Sequence, residues 1–448
     1  MQAKGNQPEF VAEYLRSIRR FFQAEQGYPL AIFQAVIGLV VFIALAVACS
    51  EKRQVPHWKL LVAGLGLQFV FALLVFRLPP VQSLLIGINQ AVAAVVEATE
   101  TGTLFVFGYL GADPDNVAYP FTVENPGATM ILAFRVLPLI LVFTVLSAIL
   151  WHYRILPAIV RGFSLVLRRS LEVSGAVGLS AAANVFVGMV ESPALIRPYI
   201  GTLTRSELFV VMSCGMATIA GTVMVFYSVI LQGVIDNPLG QLITASVISA
   251  PAAIMLALIM IPPDDAASAS EIPALDSDYH SLMDAITRAT ADGLKLMANV
   301  AAMLIVLLAL VALANSALSL LPEVGGAPVT LQGIFSILFS PLVWLMGIPW
   351  DEAAIAGNLM GIKTVLNELL AFLAMADLPA DSLSEKSRVI LTYGLCGFAN
   401  FGSLGIMIAG LSGLCPTRSR EIVSLAPRSL VSGTLATCMT GAVAGILL

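Results

Sequence analysis

The sequence alternates long apolar runs with short polar segments. Six windows reach about 20 apolar residues, the length that an α-helix needs to cross a hydrocarbon core about 30 Å thick. They cover residues 30–49, 129–151, 206–231, 241–262, 296–321 and 429–448. The windows are rich in Gly and Ala and lack the short alternation of an outer-membrane barrel. The pattern therefore predicts an all-α polytopic membrane protein with about eight transmembrane helices.

Two further segments are each long enough for a pair of half-spans and carry Gly, Asn, Pro or Glu in the middle, at about 171–202 and about 345–376. Irregular backbone at membrane depth occurs only where it lines protein or a water-filled cavity, so we predict two re-entrant helical hairpins. A helix with a small or polar break follows each hairpin, at about 206–231 and about 389–412. This repeated order predicts an inverted-repeat transporter core with a site at the midplane.

Three polar segments fall outside these spans. Residues 1–28 place three arginines beside aromatic and aliphatic residues, which predicts an amphipathic interfacial segment. Residues 80–99 predict a second helix parallel to the membrane, and residues 263–292 predict a polar cytoplasmic loop. The transporter membrane domain would then cover residues 29–448.

Composition and charge agree with a membrane location. The 448 residues are 58% hydrophobic and 11% charged, whereas soluble domains carry about 25% charged residues. Lys and Arg concentrate in residues 50–59, 152–170 and 413–428, which predicts that these segments are cytoplasmic, whereas loops 232–240 and 321–342 lack them and should face outward. No basic patch with interleaved aromatics indicates a nucleic-acid partner, and the five cysteines show no metal-ligand spacing.

Charged residues within apolar segments are the candidates for chemistry. Each costs about 2.5–3.5 kcal/mol at the bilayer centre, so Glu191, Lys363 and Glu368 should face the protein interior. A buried Lys363–Glu368 bridge or a helix-pairing polar cluster would be a structural explanation. A polar-substrate site is favoured because more polar side chains fall at the hairpins and breaks, namely Asn184, Asn358, Asn367, Asn400 and Ser403.

Four sequence blocks carry a family resemblance. The blocks ANVFVGMVESPALIRPY (183–199), ATIAGTV (217–223), GIKTVLNELLAF (361–372) and CGFANFGSLGI (396–406) resemble the signature blocks of concentrative nucleoside transporters. The resemblance runs from about residue 30 to the C-terminus. Two blocks depart from the family pattern: GMVE at 188–191 replaces the usual GQTE, and NELLA follows Leu366 where the family has NEFVA.

The resemblance implies a substrate site with two sides. Glu368, Asn400 and Ser403 would hold the ribose hydroxyls, because a carboxylate accepts from two hydroxyls and Asn and Ser both donate and accept. On the base side it implies Met189, Val190 and Glu191, with Val223 and Phe398 as apolar walls.

The resemblance also implies a sodium site. Its ligands would be the side chains of Asn184 and Thr218 and the main-chain carbonyls of Val187 and Ile219. Unwound carbonyls and neutral oxygens suit a hard monovalent cation. As alternatives, Asn184 could cap a helix and Thr218 could bond the carbonyl of the preceding turn. No other cofactor is expected.

The resemblance implies a secondary active symporter that carries nucleosides into the cell as a homotrimer in the lipid bilayer of a cell inner membrane. Neutral Asn184 and Thr218 favour sodium, and protonatable Glu191 and Glu368 leave proton-coupled symport as the alternative. The pairs Gly188-Met189 and Thr222-Val223 look like the family's purine-preferring pattern. A channel for small polar solutes is a less favoured alternative. An enzyme is disfavoured, since the spans contain no HExxH, Ser/Lys or paired-Asp constellation.

Overall fold

The structure is a computed structural model that describes residues 31–112, 117–124, 129, 131–263, 279–323 and 328–448. The interfacial segment predicted over residues 1–28, and residues 264–278 of the predicted cytoplasmic loop, lie outside these ranges.

The described chain folds into helices joined by short connections. The first third forms α1 (Ala31–Ala48), α2 (Trp58–Arg77), α3 (Pro79–Phe107), α4 (Leu132–Arg135), α5 (Leu139–His152) and α6 (Ile155–Leu171). The middle forms α7 (Gly175–Val187), α8 (Glu191–Ala194), α9 (Arg197–Ile200), α10 (Arg205–Ala217), α11 (Gly221–Ile230) and α12 (Pro238–Met260). The last third forms α13 (Leu282–Leu318), α14 (Leu331–Trp344), α15 (Trp350–Val365), α16 (Glu368–Ala376), α17 (Glu385–Leu395), α18 (Phe401–Leu414) and α19 (Ser419–Leu447).

Eight segments of the described chain are long and apolar enough to cross a membrane. They separate into interior and peripheral helices. The segment Arg205–Ile230 contains α10 and α11, and 89% of the residues in its apolar window are buried. In the apolar windows of α12 and α19 the buried share is 83% each. The corresponding share is 17% for α2 and 11% for α13, so the apolar side chains of these helices face outward as lipid-contacting side chains do.

Several helices extend beyond the predicted windows. Helix α13 begins at Leu282, inside the range predicted as a loop over 263–292, and the Ser281 side chain caps it by accepting from the Asp284 amide. Helix α19 begins at Ser419, inside the predicted basic loop 413–428. The first turns of both helices are polar, and a hydropathy pattern detects apolar segments rather than helical conformation.

Three other regions differ from the sequence prediction. Helix α14 occupies most of the range predicted as the outward loop 321–342. The predicted span 129–151 is matched by the candidate span Leu132–His152, which is divided into α4 and α5, with Pro138 at the N-terminus of α5. The helix predicted over 80–99 continues to Phe107 and is long enough to cross a membrane, and its parallel orientation stays a prediction.

Each predicted hairpin region contains two arms separated by a short non-helical tip, and the second arm of the first hairpin consists of two short helices, α8 and α9. In the first, α7 ends at Val187, Gly188 adopts a φ of 111°, and α8 begins at Glu191. A positive φ of this kind is accessible to glycine without the steric cost of a Cβ. In the second, α15 ends at Val365 and α16 begins at Glu368.

The helices that follow the hairpins are broken and enter from opposite ends. Helix α10 runs antiparallel to α12, because its Ser206 hydroxyl bonds the Ile261 carbonyl and the Ile219 amide beyond its end bonds the Ser246 hydroxyl. Helix α17 runs parallel to α12: its Tyr393 hydroxyl bonds Gln241 in the first turn of α12 (2.7 Å), and Cys396 just beyond its end lies against Ser246 further along α12. The two breaks, at 218–220 and 396–400, therefore meet near the middle of the bundle.

A charged cluster joins two of the basic segments at one end of the bundle. The Glu51 carboxylate accepts from Arg205 at 2.8 Å and from Arg428. The hydrogen bond from Arg205, followed by the charges of both guanidinium groups, lowers the pKa of Glu51 although its partial burial opposes this. Segments 50–59 and 413–428 thus lie on the same side, as the positive-inside prediction requires.

Candidate substrate and cation site

The Glu368 carboxylate lies between two hydrogen-bond donors, Tyr227 of α11 and Asn400 at the N-cap of α18. It is 4% exposed, and its Oε1 accepts from the Tyr227 hydroxyl at 2.6 Å while its Oε2 accepts from Asn400 Nδ2 at 2.9 Å. Glu368 is also the first residue of α16, where the positive end of the helix dipole favours an anion. Each carboxylate oxygen keeps a further lone pair for a donor on a bound solute.

Two asparagines cap the helices that converge on Glu368. Asn367 Oδ1 accepts from the Leu370 amide of α16 at 2.9 Å. Asn400 Oδ1 accepts from the Ser403 amide of α18 at 2.7 Å, which fixes its amide nitrogen toward Glu368. The structure thus brings together the three residues predicted on the ribose side, Glu368, Asn400 and Ser403.

Lys363 lies in the same hairpin but does not form an ion pair with Glu368 within the described chain. Its Nζ donates to the Gly394 carbonyl and to Thr437 Oγ1, both at 2.9 Å. The sequence allowed a Lys363–Glu368 salt bridge as an alternative. The structure shows hydrogen bonds from Lys363 to two neutral oxygens instead.

Tyr227 is the residue of this site that the sequence analysis missed. It lies on α11, four residues after Val223, so the two side chains share a helix face. Its ring contacts Phe372 of α16 with centroids 5.1 Å apart. A tyrosine inside a membrane helix needs a partner for its hydroxyl, and this requirement was the available signal.

For the nucleoside transport that the resemblance implies, we expect Tyr227→Phe to raise the KM about tenfold with a smaller change in maximal rate. The reason is that the loss of a charge-assisted hydrogen bond of about 1.5–3 kcal/mol frees the carboxylate to rotate. Tyr393→Phe is a matched control, since Tyr393 is equally buried and bonds Gln241 away from Glu368. Uptake kinetics in proteoliposomes measure both variants. Equal effects of the two substitutions would show that Tyr227 acts through stability alone.

The side chains predicted at the sodium site lie against the end of α10. Asn184 Nδ2 donates to the Cys214 carbonyl at 2.8 Å and to Thr218 Oγ1, and Asn184 Oδ1 accepts from the Ser192 hydroxyl at 3.2 Å. Asn184 lies inside α7 rather than at its cap. Thr218 Oγ1 also donates to the Cys214 carbonyl (3.2 Å), which is the bond to the preceding turn that the sequence left as an alternative.

The two predicted carbonyl ligands belong to segments that are neighbours in the fold. Val187 ends α7, and Ile219 lies in the break, where carbonyls lack helical partners. These two backbone segments approach closely: a Cβ atom added to Gly221 would lie only 2.8 Å from the Phe186 carbonyl oxygen. Rotation of the Asn184 amide by half a turn would direct its Oδ1 toward Thr218 and present neutral oxygens to a cation.

The residues predicted on the base side have different surroundings. Met189 is 7% exposed and faces Gly215 of α10, and Val190 packs on Gly410 of α18. Glu191 is the exposed member of the three. The predicted walls Val223 and Phe398 are half-buried.

Hairpin tips and helix breaks form one continuous set of contacts. Gly188 at the first tip lies against Ala220 in the first break. The Phe398 amide in the second break donates to the Thr218 carbonyl in the first, at 3.4 Å. Asn400 then connects the second break to Glu368 at the second tip. The candidate cation and substrate sites are therefore linked through direct contacts.

Comparisons with known proteins agree with this arrangement. Family models described as "Na+ dependent nucleoside transporter" match residues 37–110 (N-terminus) and 241–445 (C-terminus), and a "Nucleoside recognition" gate model matches residues 133–233. Nucleoside permease NupC of Helicobacter pylori is 31% identical over 419 residues, which cover 92% of this chain and 97% of the permease. The chain belongs to the concentrative nucleoside transporter family.

Other relatives extend the comparison. An uncharacterized transporter of Haemophilus influenzae is 37% identical, with 94% of this chain and 98% of the relative covered. Solute carrier family 28 member 3 of the mouse is 33% identical, and the match covers 92% of this chain and 58% of that longer protein.

Solved structures show the same fold. The structure of CNTnw in an inward-facing substrate-bound state has a TM-score of 0.83 and 32% identity, with 93% of this chain and 97% of that chain covered. A CNTnw variant in an outward-facing state has a TM-score of 0.81 and 31% identity, with the same coverage. The likeness confirms the predicted all-α transporter fold, and the family is one of nucleoside transporters rather than enzymes.

Proposed function

We propose that this concentrative nucleoside transporter is a sodium-coupled symporter that binds the ribose of its substrate at Glu368. The observation that carries the proposal is the buried Glu368 carboxylate, held at the second hairpin tip by Tyr227 and Asn400. Ribose hydroxyls would donate to its remaining lone pairs. A solute without these hydroxyls would leave the buried carboxylate with unfilled hydrogen-bond acceptor positions. The site should therefore discriminate strongly against such solutes.

The proposed coupling to sodium is supported by the contacts between the two sites. A cation bound by Asn184, Thr218 and the carbonyls of Val187 and Ile219 would join the first hairpin tip to the first break. The first break contacts the second, which positions Asn400 on Glu368. Cation binding would thereby order the ribose site, and by linkage nucleoside binding would strengthen cation binding by the same factor.

The driving ion is tested by uptake of labelled adenosine into proteoliposomes under separate gradients. We expect an inward sodium gradient to drive accumulation and a pH gradient without sodium to leave it at the equilibrium level. The proton alternative rests on Glu191 and Glu368. Accumulation that is insensitive to sodium and collapses with the pH gradient would favour that alternative.

We also propose a preference for purine nucleosides, supported by Met189 in place of an amide at the first hairpin tip. Met189 offers a polarisable, adaptable surface to a larger ring system and removes a polar partner for a pyrimidine edge. The loss of one hydrogen bond of about 0.5–1.5 kcal/mol gives a bias of a few-fold to about tenfold.

Met189→Gln is therefore expected to narrow the ratio of adenosine to uridine uptake by improving uridine uptake. Competition assays with adenosine, guanosine, inosine, uridine and cytidine measure the ratio. A wild-type preference for uridine, together with an unchanged ratio in the variant, would contradict the base-side assignment and leave the ribose site untouched.

The proposed assembly is a homotrimer in a cell inner membrane. It is supported by the family resemblance and by the outward apolar side chains of α2 and α13, part of which would pack against the other two copies. Helix α13 has 37 residues, about 55 Å at 1.5 Å per residue, so its polar first turns would project from the bilayer.

A further inference from the structure

Lys363 is a fully buried cation that the proposed transport mechanism does not use. Its side chain is 0% exposed, and no ion-pair partner for it exists within the described chain. Its ammonium instead donates to the Gly394 carbonyl and the Thr437 hydroxyl. Keeping an unpaired ammonium out of water is costly, so neighbouring oxygens must stabilise the charge.

The end of α17 provides such oxygens. Gly394 is the next-to-last residue of this helix, which ends at Leu395 in the second break. The last carbonyls of a helix lack intrahelical partners and form the negative end of its dipole, which favours a cation. The Lys363 ammonium is thus held by a helix C-terminus and a hydroxyl, the oxygen types that also suit a monovalent metal ion.

The candidate sodium site in the first half of the chain is built by the corresponding three elements. Asn184 lies in the last turn of the first hairpin arm, α7, and bonds the Cys214 carbonyl in the last turn of α10. The intact helix that follows, α12, supplies the Ser246 hydroxyl to the amide of Ile219, one of the predicted ligands.

In the second half the corresponding elements surround Lys363. Lys363 lies in the last turn of the first arm of the second hairpin, α15, and bonds a carbonyl in the last turn of α17. The intact helix that follows, α19, supplies the Thr437 hydroxyl. The same three kinds of element therefore meet in both halves, with a neutral amide at Asn184 and an ammonium at Lys363. The bonds differ in one respect, since the Ser246 hydroxyl accepts from a backbone amide and the Thr437 hydroxyl accepts from Lys363 itself.

We propose that the Lys363 ammonium is a tethered cation, which occupies in the second half of the repeat the position that sodium occupies in the first. This inference rests on the proposed sodium site. The first half then binds an exchangeable cation and can loosen when the ion leaves. The second half keeps its cation throughout the cycle, which holds hairpin, broken helix and α19 together beneath Glu368. One sodium ion should accompany each nucleoside.

The wild-type protein tests the stoichiometry without any substitution. Initial fluxes of labelled sodium and labelled adenosine are measured in the same proteoliposomes, and we expect a ratio of one. A ratio of two would overturn the proposal, since both halves would then take up an exchangeable ion. Uptake without any sodium flux would instead overturn the sodium-coupled function itself, so the two failures are distinguishable.

A variant tests the need for the charge. Lys363→Ala removes three methylene groups and the ammonium, and we expect uptake to fall at least tenfold. Propylammonium, which matches the missing atoms, should restore uptake, whereas 1-propanol, a neutral molecule of the same size, should not. Lys295→Ala, at an exposed lysine of α13, controls for general effects of the additives. Undiminished uptake by Lys363→Ala, or equal rescue by both molecules, would overturn the proposal.

Discussion

Glu368→Gln is expected to lower nucleoside uptake at least about hundredfold while the protein remains folded, because two hydrogen bonds to a charged acceptor are worth about 1.5–3 kcal/mol each. The amide keeps the shape of the side chain but replaces one acceptor oxygen by an NH₂ donor. That donor would meet either the Tyr227 hydroxyl or Asn400 Nδ2. The Tyr227 hydroxyl can rotate and accept a hydrogen bond from this NH₂ group. Asn400 Nδ2 cannot accept one, and the Asn400 side chain is held in place because its Oδ1 accepts from the Ser403 backbone amide.

Uptake of labelled adenosine and thermal unfolding of the purified protein measure these two parts of the expectation. Glu352→Gln is a matched control in the same hairpin, because Glu352 accepts from Ser384 at the base of the hairpin. It should leave uptake within about twofold, the range typical of surface substitutions. Free bases and 2′,3′-dideoxynucleosides should compete poorly in the wild type. Uptake by Glu368→Gln at the wild-type level would remove the ribose-site assignment.

The second large effect is expected for Thr218→Val, which should raise the sodium concentration for half-maximal uptake at least about tenfold. Valine matches threonine in shape but lacks the hydroxyl oxygen proposed as a ligand, and an interaction of a hydroxyl with a charge is worth about 1.5–3 kcal/mol. The nucleoside KM at saturating sodium should change much less, since Glu368 and Asn400 are untouched.

Thr244→Val is the control for this substitution. Thr244 is also buried, and its hydroxyl bonds the Gly240 carbonyl one turn earlier in α12. Sodium activation curves in both variants separate the loss of a ligand from the loss of a helix bond, because Thr218 makes a bond of the same kind to Cys214. A sodium dependence that shifts equally in both variants would contradict the cation-site assignment.

The sequence was sufficient to predict the membrane fold and the interruptions that shape the site. Gly188, Asn367 and Asn400 have local physical reasons to stop or start a helix, and the structure places a tip or a cap at each of them. Local signals of this kind are visible in a single chain because they depend on neighbours within a few residues.

Partnerships between distant residues were not accessible in the same way. Tyr227 reaches Glu368 across 141 positions, and Lys363 reaches Thr437 across 74, so neither pair leaves a mark in the local pattern. The family resemblance implied that Glu368 and Asn400 belong to one site. Only the structure shows the hydrogen bond between them. The starts of α13 and α19 were missed because their first turns are polar.

Adenosine binding to the purified protein, measured calorimetrically in sodium chloride and in choline chloride at equal ionic strength, tests the central claim most directly. The account predicts tighter adenosine binding in sodium, tighter sodium binding with adenosine by the same factor, and loss of adenosine binding but not of sodium binding in Glu368→Gln. Equal adenosine affinity in the two salts, or sodium binding that is lost together with Glu368, would contradict two linked sites at the hairpin tips and breaks.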